Sequence, residues 1–237
     1  MKSDTAKKLL DLVKQNYQAI AADFDKTRRK EAWPELKQFA ALATPGRKIL
    51  DVGCGNGRLI SALDIPADDY LGIDSSDALL AIAESRHPDY HFLSGDILDL
   101  DTAVSGRYDS IFCLAVLPHI PSAGLRIKAL ENLKDRLAPG GMIVISAWNL
   151  WSPVWRGRHY CRLILKNWWQ SLIGCQDRDF GDIVFPWKDA QGNIISERYY
   201  HAFRSRELAR LADQAGLKLG EFKKDKFNYW LILSKKN

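Results

Sequence analysis

The sequence predicts one α/β domain: a mostly parallel sheet with helices on both faces, closed by an antiparallel hairpin. Three observations predict it. Short apolar runs alternate with helical periodicity through most of the 237 residues. The first of these runs, Ile49-Leu50-Asp51-Val52, feeds straight into the glycine turn Gly53-Cys54-Gly55-Asn56-Gly57. Aspartates then stand at or just after the ends of the first three runs, at 51, 74 and 96.

Taken in order, residues 4–24 place Leu10, Val13, Tyr17, Ala21 and Phe24 on one helical stripe, which predicts an amphipathic helix lying against the domain. A short helix begins near Trp33-Pro34, with proline at a first-turn position. Apolar runs at 48–52, 70–74, 91–93, 108–113 and 142–146 have the length of buried strands. Helical patterns fill 57–64, 76–86 and 122–137, and Ala138-Pro139-Gly140-Gly141 stops the last of them with a turn. Residues 148–200 break the alternation and hold tryptophans 148, 151, 155, 168, 169 and 187, so they read as an insertion. A final helix with Leu208, Leu211, Ala212 and Ala215, a turn at Gly216, and runs at 217–222 and 227–233 complete seven strands. The expected organisation is therefore an N-terminal helical segment (1–44), a ligand-binding core (45–147), a Trp-rich insertion (148–200) and a closing helix and hairpin (201–237).

Composition narrows the class. The chain is 46% hydrophobic and 27% charged, which fits a globular domain and excludes disordered and fibrous proteins. No window approaches the ~18 apolar residues of a membrane span, and the first residues lack the apolar block of a secretory signal, so a cytoplasmic location is expected. Cysteines 54, 113, 161 and 175 form neither a C-x-x-C pair nor a zinc spacing, so reduced thiols and no metal are expected. Lys and Arg total 34 against 29 Asp and Glu, a +5 balance that favours a polyanion only mildly.

The G-x-G-x-G turn lets a ligand approach the backbone closely. A dinucleotide fingerprint wants a small residue where Arg58 stands. The remaining reading is a ligand with ribose and adenine but no phosphate. Asp51 is placed to accept from its amino group, Asp74 from both ribose hydroxyls, and Asp96 from the adenine amine, with Ile97 against the ring. In this combination the stretch 45–147 and the closing hairpin resemble the class I S-adenosylmethionine-dependent methyltransferases, of Rossmann-like fold. The resemblance implies S-adenosylmethionine as cofactor, bound by Tyr17, Arg28, Asp51, Gly53, Gly55, Asn56, Gly57, Asp74, Ser75, Asp96, Ile97 and Leu114.

The acceptor region Cys113 to His119 lacks the [DN]-P-P-[FYW] motif of exocyclic amine methylation and the Pro-Cys nucleophile of pyrimidine carbon methylation. Oxygen and other nitrogen acceptors remain. Tyr17 to Phe24, Thr27-Arg28, Trp33-Pro34, Ala115-Val116-Leu117-Pro118-His119, Trp148, Phe185-Pro186-Trp187 and Arg198-Tyr199-Tyr200-His201-Ala202-Phe203, with Glu207-Leu208, resemble the tRNA wobble-uridine methyltransferases. That family esterifies 5-carboxymethyluridine and also occurs fused to an AlkB-type oxygenase. Pro118 stands where its motif has a second histidine.

The resemblance implies tRNA as substrate, through its anticodon loop, a small zinc-containing activator subunit as partner, and catalytic roles for Arg28, His119, Trp148, Arg198, Tyr199 and His201. A carboxylate acceptor is already anionic at neutral pH, so such an enzyme needs positioning more than a general base. Arg28 or Arg198 would hold one carboxylate oxygen, and Tyr199, Tyr200 and His201 would wall the acceptor, unless alternation on an edge strand buries some of them. The Trp-rich insertion, with Arg156, Arg158, Arg162 and Lys166, suits unpaired bases, a membrane interface or plain burial. Rival readings are a small-molecule O- or N-methyltransferase and a non-catalytic RNA-binding module that keeps the cofactor site.

Overall fold

The computed structural model describes residues 1–28, 34–154, 159–174, 177–189 and 191–236. Helix α1 (Ser3–Arg28) is followed by α2 (Pro34–Ala40), β1 (Ile49–Val52), β2 (Tyr70–Asp74), α3 (Asp77–Arg86), β3 (His91–Ser94) and the single turn α4 (Leu100–Ala103). Then come β4 (Tyr108–Leu114), α5 (Ala123–Arg136), β5 (Leu137–Trp148), α6 (His159–Leu172), β6 (Asp182–Lys188) and β7 (Ile194–His201). Helix α7 (Ser205–Gln214) and strands β8 (Leu217–Lys224) and β9 (Asn228–Lys235) finish the chain.

The main sheet has the order β3-β2-β1-β4-β5-β9-β8. Strands β1 to β5 run parallel, and β9 returns antiparallel between β5 and β8. Strands buried on both faces read as near-continuous apolar runs. Here Leu50, Val52, Ile111 and Cys113 face Leu130, Leu133, Leu208 and Leu211 of α5 and α7. Ile49, Phe112 and Val144 face the other way, toward Leu36 and Phe39 of α2 and Trp230 of β9. Phe39 stacks on Trp230 at 4.6 Å. The chain order reverses between β1 and β4, and a crevice opens at the carboxyl ends of those strands, where open α/β sheets bind ligands.

Three expectations are corrected. The pattern at 57–64 is a five-residue 3-10 helix, Arg58–Ala62, since Pro66 disfavours helical geometry at Ile65 and leaves no room for longer growth. The Pro-Gly-Gly stretch does not precede β5 but bulges within it: Tyr108 pairs with Leu137 and Ser110 already with Met142. The insertion builds a sheet of its own, β6 paired antiparallel with β7. Helix α6 packs on that hairpin through Ile164, against Ile183, Phe185 and Tyr200.

Helix α1 spans the crevice. Leu9 and Ile20 are buried, while Val13, Tyr17 and Phe24 line the opening. Asn16 bonds to Ser196 of β7, Gln18 accepts from the Ser76 hydroxyl at 3.0 Å, and Asp25 accepts from Asn56 Nδ2 at 2.8 Å and pairs with Arg86. One helix thus grips the hairpin, the turn after β2 and the glycine loop. Among the described residues no helix is long and apolar enough to cross a membrane. Cys54 and Cys113 are buried free thiols and Cys161 is a half-buried one; Cys175 lies outside the described residues.

Candidate active site

The crevice holds a cavity of about 220 Å³. Its floor is the glycine loop. Gly53, Gly55 and Gly57 all have positive φ, between 56° and 75°. They serve different ends. A Cβ at Gly53 would run into Val116, and one at Gly57 would meet His87 at 2.9 Å, so these two pack the loop against its neighbours. A Cβ at Gly55 would find only Phe24, at 3.8 Å, and would project into the space a ligand needs. Gly57 itself does not line the cavity; Gly53, Gly55 and Asn56 do.

Asp51, Asp74 and Asp96 all line the crevice. Asp51 is buried and accepts from the Tyr70 hydroxyl at 2.9 Å. Burial pushes its carboxyl up to about 7; the Tyr70 bond opposes the rise and the nearby Asp74 adds to it. Asp74 accepts from the Gly55 and Ser76 backbone N–H groups at 2.8 and 2.9 Å. Burial raises its pKa too, against those backbone bonds. The Ser75 backbone N–H also bonds to this carboxylate. Asp96 caps the turn Ile97–Asp99 by accepting from Leu98 N–H at 2.8 Å, beside the buried Ile97. Ser75 and Leu114 complete this end.

The other end is aromatic. Trp148, at the end of β5, stacks on Tyr200 of β7 at 5.0 Å and 24°. His119 stands edge-on to Tyr200 at 4.2 Å and to Tyr17 at 5.1 Å. Its Nδ1 lies 3.1 Å from the Tyr199 carbonyl, which only accepts, so Nδ1 carries the proton and Nε2 accepts from the Tyr17 hydroxyl at 2.7 Å. Burial lowers the His119 pKa to about 4, so the ring is neutral near pH 7. Tyr17 is raised by its own burial and by Tyr200, whose hydroxyl is within hydrogen-bonding reach.

Arg198 lies behind this wall, its guanidinium 4.4 Å from the Trp187 ring and 4.5 Å from Phe185. Its Nε is buried with no hydrogen-bond partner among the described residues. Its charge reaches the crevice, lowering both the Tyr17 and the His119 pKa.

Strand alternation divides the other residues of the acceptor motif. Arg198 and Tyr200 face one side of β7 and Tyr199 and His201 the other; of the four only Tyr200 lines the crevice, which corrects the expected acceptor wall. The Tyr199 hydroxyl and His201 Nδ1 both meet Asp182 Oδ1 at 2.7 Å. Arg28 closes α1, but its side chain, like Trp33, Arg156 and Arg158, lies outside the described residues. Sequence reasoning missed Tyr70, Ser146 and Asn228. Asn228 lines the crevice and is paired with Trp148 in the β5–β9 ladder. It carries no motif, and only strand pairing brings it there. Among the described residues no group of three or more His, Cys, Asp or Glu side chains could hold a metal ion.

Comparison with known proteins gives a consistent setting. Residues 24–221 match the family described as a methyltransferase domain. A protein of Schizosaccharomyces pombe named tRNA (carboxymethyluridine(34)-5-O)-methyltransferase is 28% identical over 95% of this chain and 96% of its own. A Saccharomyces cerevisiae protein of the same name is 24% identical over 99% of both. Among solved structures, the CcbJ methyltransferase of Streptomyces caelestis superposes with a TM-score of 0.66 at 19% identity, covering 93% of this chain and 97% of that one. An S-adenosylmethionine-dependent methyltransferase of Clostridium acetobutylicum gives 0.62 at 13%, covering 94% and 100%. The fold is that of the class I methyltransferases.

Proposed function

Because the chain belongs to the family of methyltransferase domains, we propose that it methylates the carboxylate of a 5-carboxymethyluridine-type wobble base in tRNA, in the cytoplasm, with S-adenosylmethionine as methyl donor. The residues present fit that donor. Gly55 leaves the floor open, and three carboxylates face a ligand that carries an amino group, two ribose hydroxyls and a positive charge. When bound, the donor supplies an electrophilic methyl group on a sulfonium. Asp51 would hold the amino group, Asp74 the ribose, and Asp96 with Ile97 the adenine. Tyr17 and Leu114 would border the methyl-bearing end, and Ser75 the ribose.

The observation that carries the acceptor assignment is the chemistry of the aromatic end. His119 is neutral and both its nitrogens are engaged, so among the described residues of the aromatic end this ring is not a free base, and the Arg198 cation stands behind it. A carboxylate, already ionised, needs no base; it needs orientation and exclusion of water. Trp148 and Tyr200 offer a stacked surface for a uracil ring. Arg198 would hold one carboxylate oxygen by a charge-assisted bond and leave the other to attack. Arg28 belongs to the same proposal by resemblance. The two nearly full-length relatives, named for this reaction, support it.

The test is to incubate the protein with tRNA and methyl-labelled S-adenosylmethionine, digest to nucleosides and analyse by mass spectrometry. The expected product is a labelled uridine ester that alkali cleaves. Label in small molecules alone would overturn the tRNA assignment, and tRNA binding without transfer would favour a non-catalytic module. A small zinc-containing activator belongs to this reading; adding one should raise turnover without changing the product.

A further inference from the structure

We infer that His201 is a positioning residue: on the far side of β7 from the crevice, it joins a buried network that aims Arg198 and Tyr200 at the methyl acceptor. This rests on the assignment of Arg198 to the acceptor end.

His201 is buried between two carboxylates, its Nδ1 2.7 Å from Asp182 Oδ1 and its Nε2 2.7 Å from Glu207 Oε1. Each ring nitrogen thus has a carboxylate oxygen as its partner. The same Asp182 oxygen accepts from the Tyr199 hydroxyl and from Arg126 Nη2, at 2.7 and 3.4 Å. Arg126 also reaches the Tyr199 hydroxyl at 3.2 Å and donates through Nε to the Ile120 carbonyl at 2.8 Å. Burial would raise the pKa of Asp182 and Glu207, yet both are held below their ordinary values, chiefly by His201. Arg126, Asp182, His201 and Glu207 thus form one connected cluster, and the four side chains come from α5, β6, β7 and α7.

The arrangement crosses from the sheet to the hairpin. Arg126 and Glu207 belong to helices packed on the main sheet, while Asp182, Tyr199 and His201 belong to the two-stranded sheet. The network fastens one to the other. Two connections lead from it to the crevice. Alternation along β7 turns Arg198 and Tyr200 inward whenever Tyr199 and His201 are seated outward. The Tyr199 carbonyl also meets His119 Nδ1 and so sets the ring that accepts from Tyr17. The Arg-Tyr-Tyr-His run is therefore split into Tyr200, which lines the crevice, Arg198 on the same face behind it, and two residues on the other face that hold them there.

A double-mutant cycle of His201→Ala with Arg198→Ala tests this, read by tRNA methylation, by calorimetric cofactor affinity and by crystal structures. His201→Ala should lower kcat at least tenfold and leave the cofactor Kd within twofold, with Arg198 displaced from its seat on Trp187 and Phe185. In the Arg198→Ala background the same change should cost less than twofold. Losses that multiply, an unmoved Arg198, or full activity in folded His201→Ala would each overturn the inference. Should Arg198→Ala alone be fully active, the assignment of Arg198 fails, and its crystallographic position in His201→Ala still decides the network's role. If His201→Ala does not fold, Tyr199→Phe and Glu207→Gln carry the same cycle.

Discussion

The proposed role of Asp51 ties cofactor binding to a proton. Its carboxyl sits at about 7 because it is buried beside Asp74, with the Tyr70 hydroxyl as partner. A ligand amino group recognises the ionised form, so binding below pH 7 must first expel that proton. The expected affinity for S-adenosylmethionine is level above pH 7. Below it, affinity falls by about tenfold at pH 6 and about a hundredfold at pH 5. Stability of the unliganded protein runs the other way. Between about 4 and 7 the folded state keeps a proton on Asp51 that the unfolded chain has lost, so the contribution of Asp51 to folding stability declines as pH rises through that window. The rise from 3.8 to about 7 corresponds to at most about 4 kcal/mol. Asp51→Asn should therefore raise the unliganded melting temperature at pH 8 while weakening the cofactor and levelling its pH profile. Calorimetry across pH 5 to 8, in buffers of different ionisation enthalpy, measures both affinity and released protons. A flat profile in the native protein, or the same slope in Asp51→Asn, refutes the reasoning.

Three further outcomes are expected. Gly55→Ala puts a methyl group into the open floor at a φ of +56°, so cofactor affinity should drop at least tenfold by calorimetry, with a loss of stability on the order of 1 kcal/mol. His119, held neutral in the fold to about pH 4, takes up a proton more readily when unfolded. The contribution of His119 to stability should thus fall by about 2 kcal/mol from pH 7 to pH 5, opposite in sign to that of Asp51, and His119→Gln should make the variant gain relative to the native protein over that range in denaturant titrations. Affinity for tRNA should decline steeply with added salt in filter binding, since phosphate contacts release counterions; salt-independent binding would count against an RNA acceptor.

Much of the frame was legible because it is local. Five apolar runs and a closing pair became seven strands, and Pro34 opens α2 as a first-turn proline should. The acids at 51, 74 and 96 were readable because a strand's end and its following turn are neighbours in sequence. What escaped depends on distance along the chain or on counting by twos. Tyr17 meets His119 across 102 residues, and Asn228 reaches Trp148 only by pairing of β9 with β5. The run 198–201 looked like one acceptor wall, but a pleated strand sends alternate residues to opposite faces, which puts Tyr199 and His201 on the far side. Residues 199–201 read as an edge strand, but its partner β6 was not read because Pro186 interrupts the run.

Helix α1 touches the glycine loop through Asp25, the turn after β2 through Gln18 and the hairpin through Asn16. Whatever tightens it from the cofactor side is felt on the acceptor side, and the reverse holds with equal free energy. Under the proposed function the two substrates should therefore act as heterotropic effectors of one another, with this single rod as the shared lever, and a cofactor affinity unchanged by bound tRNA would refute it.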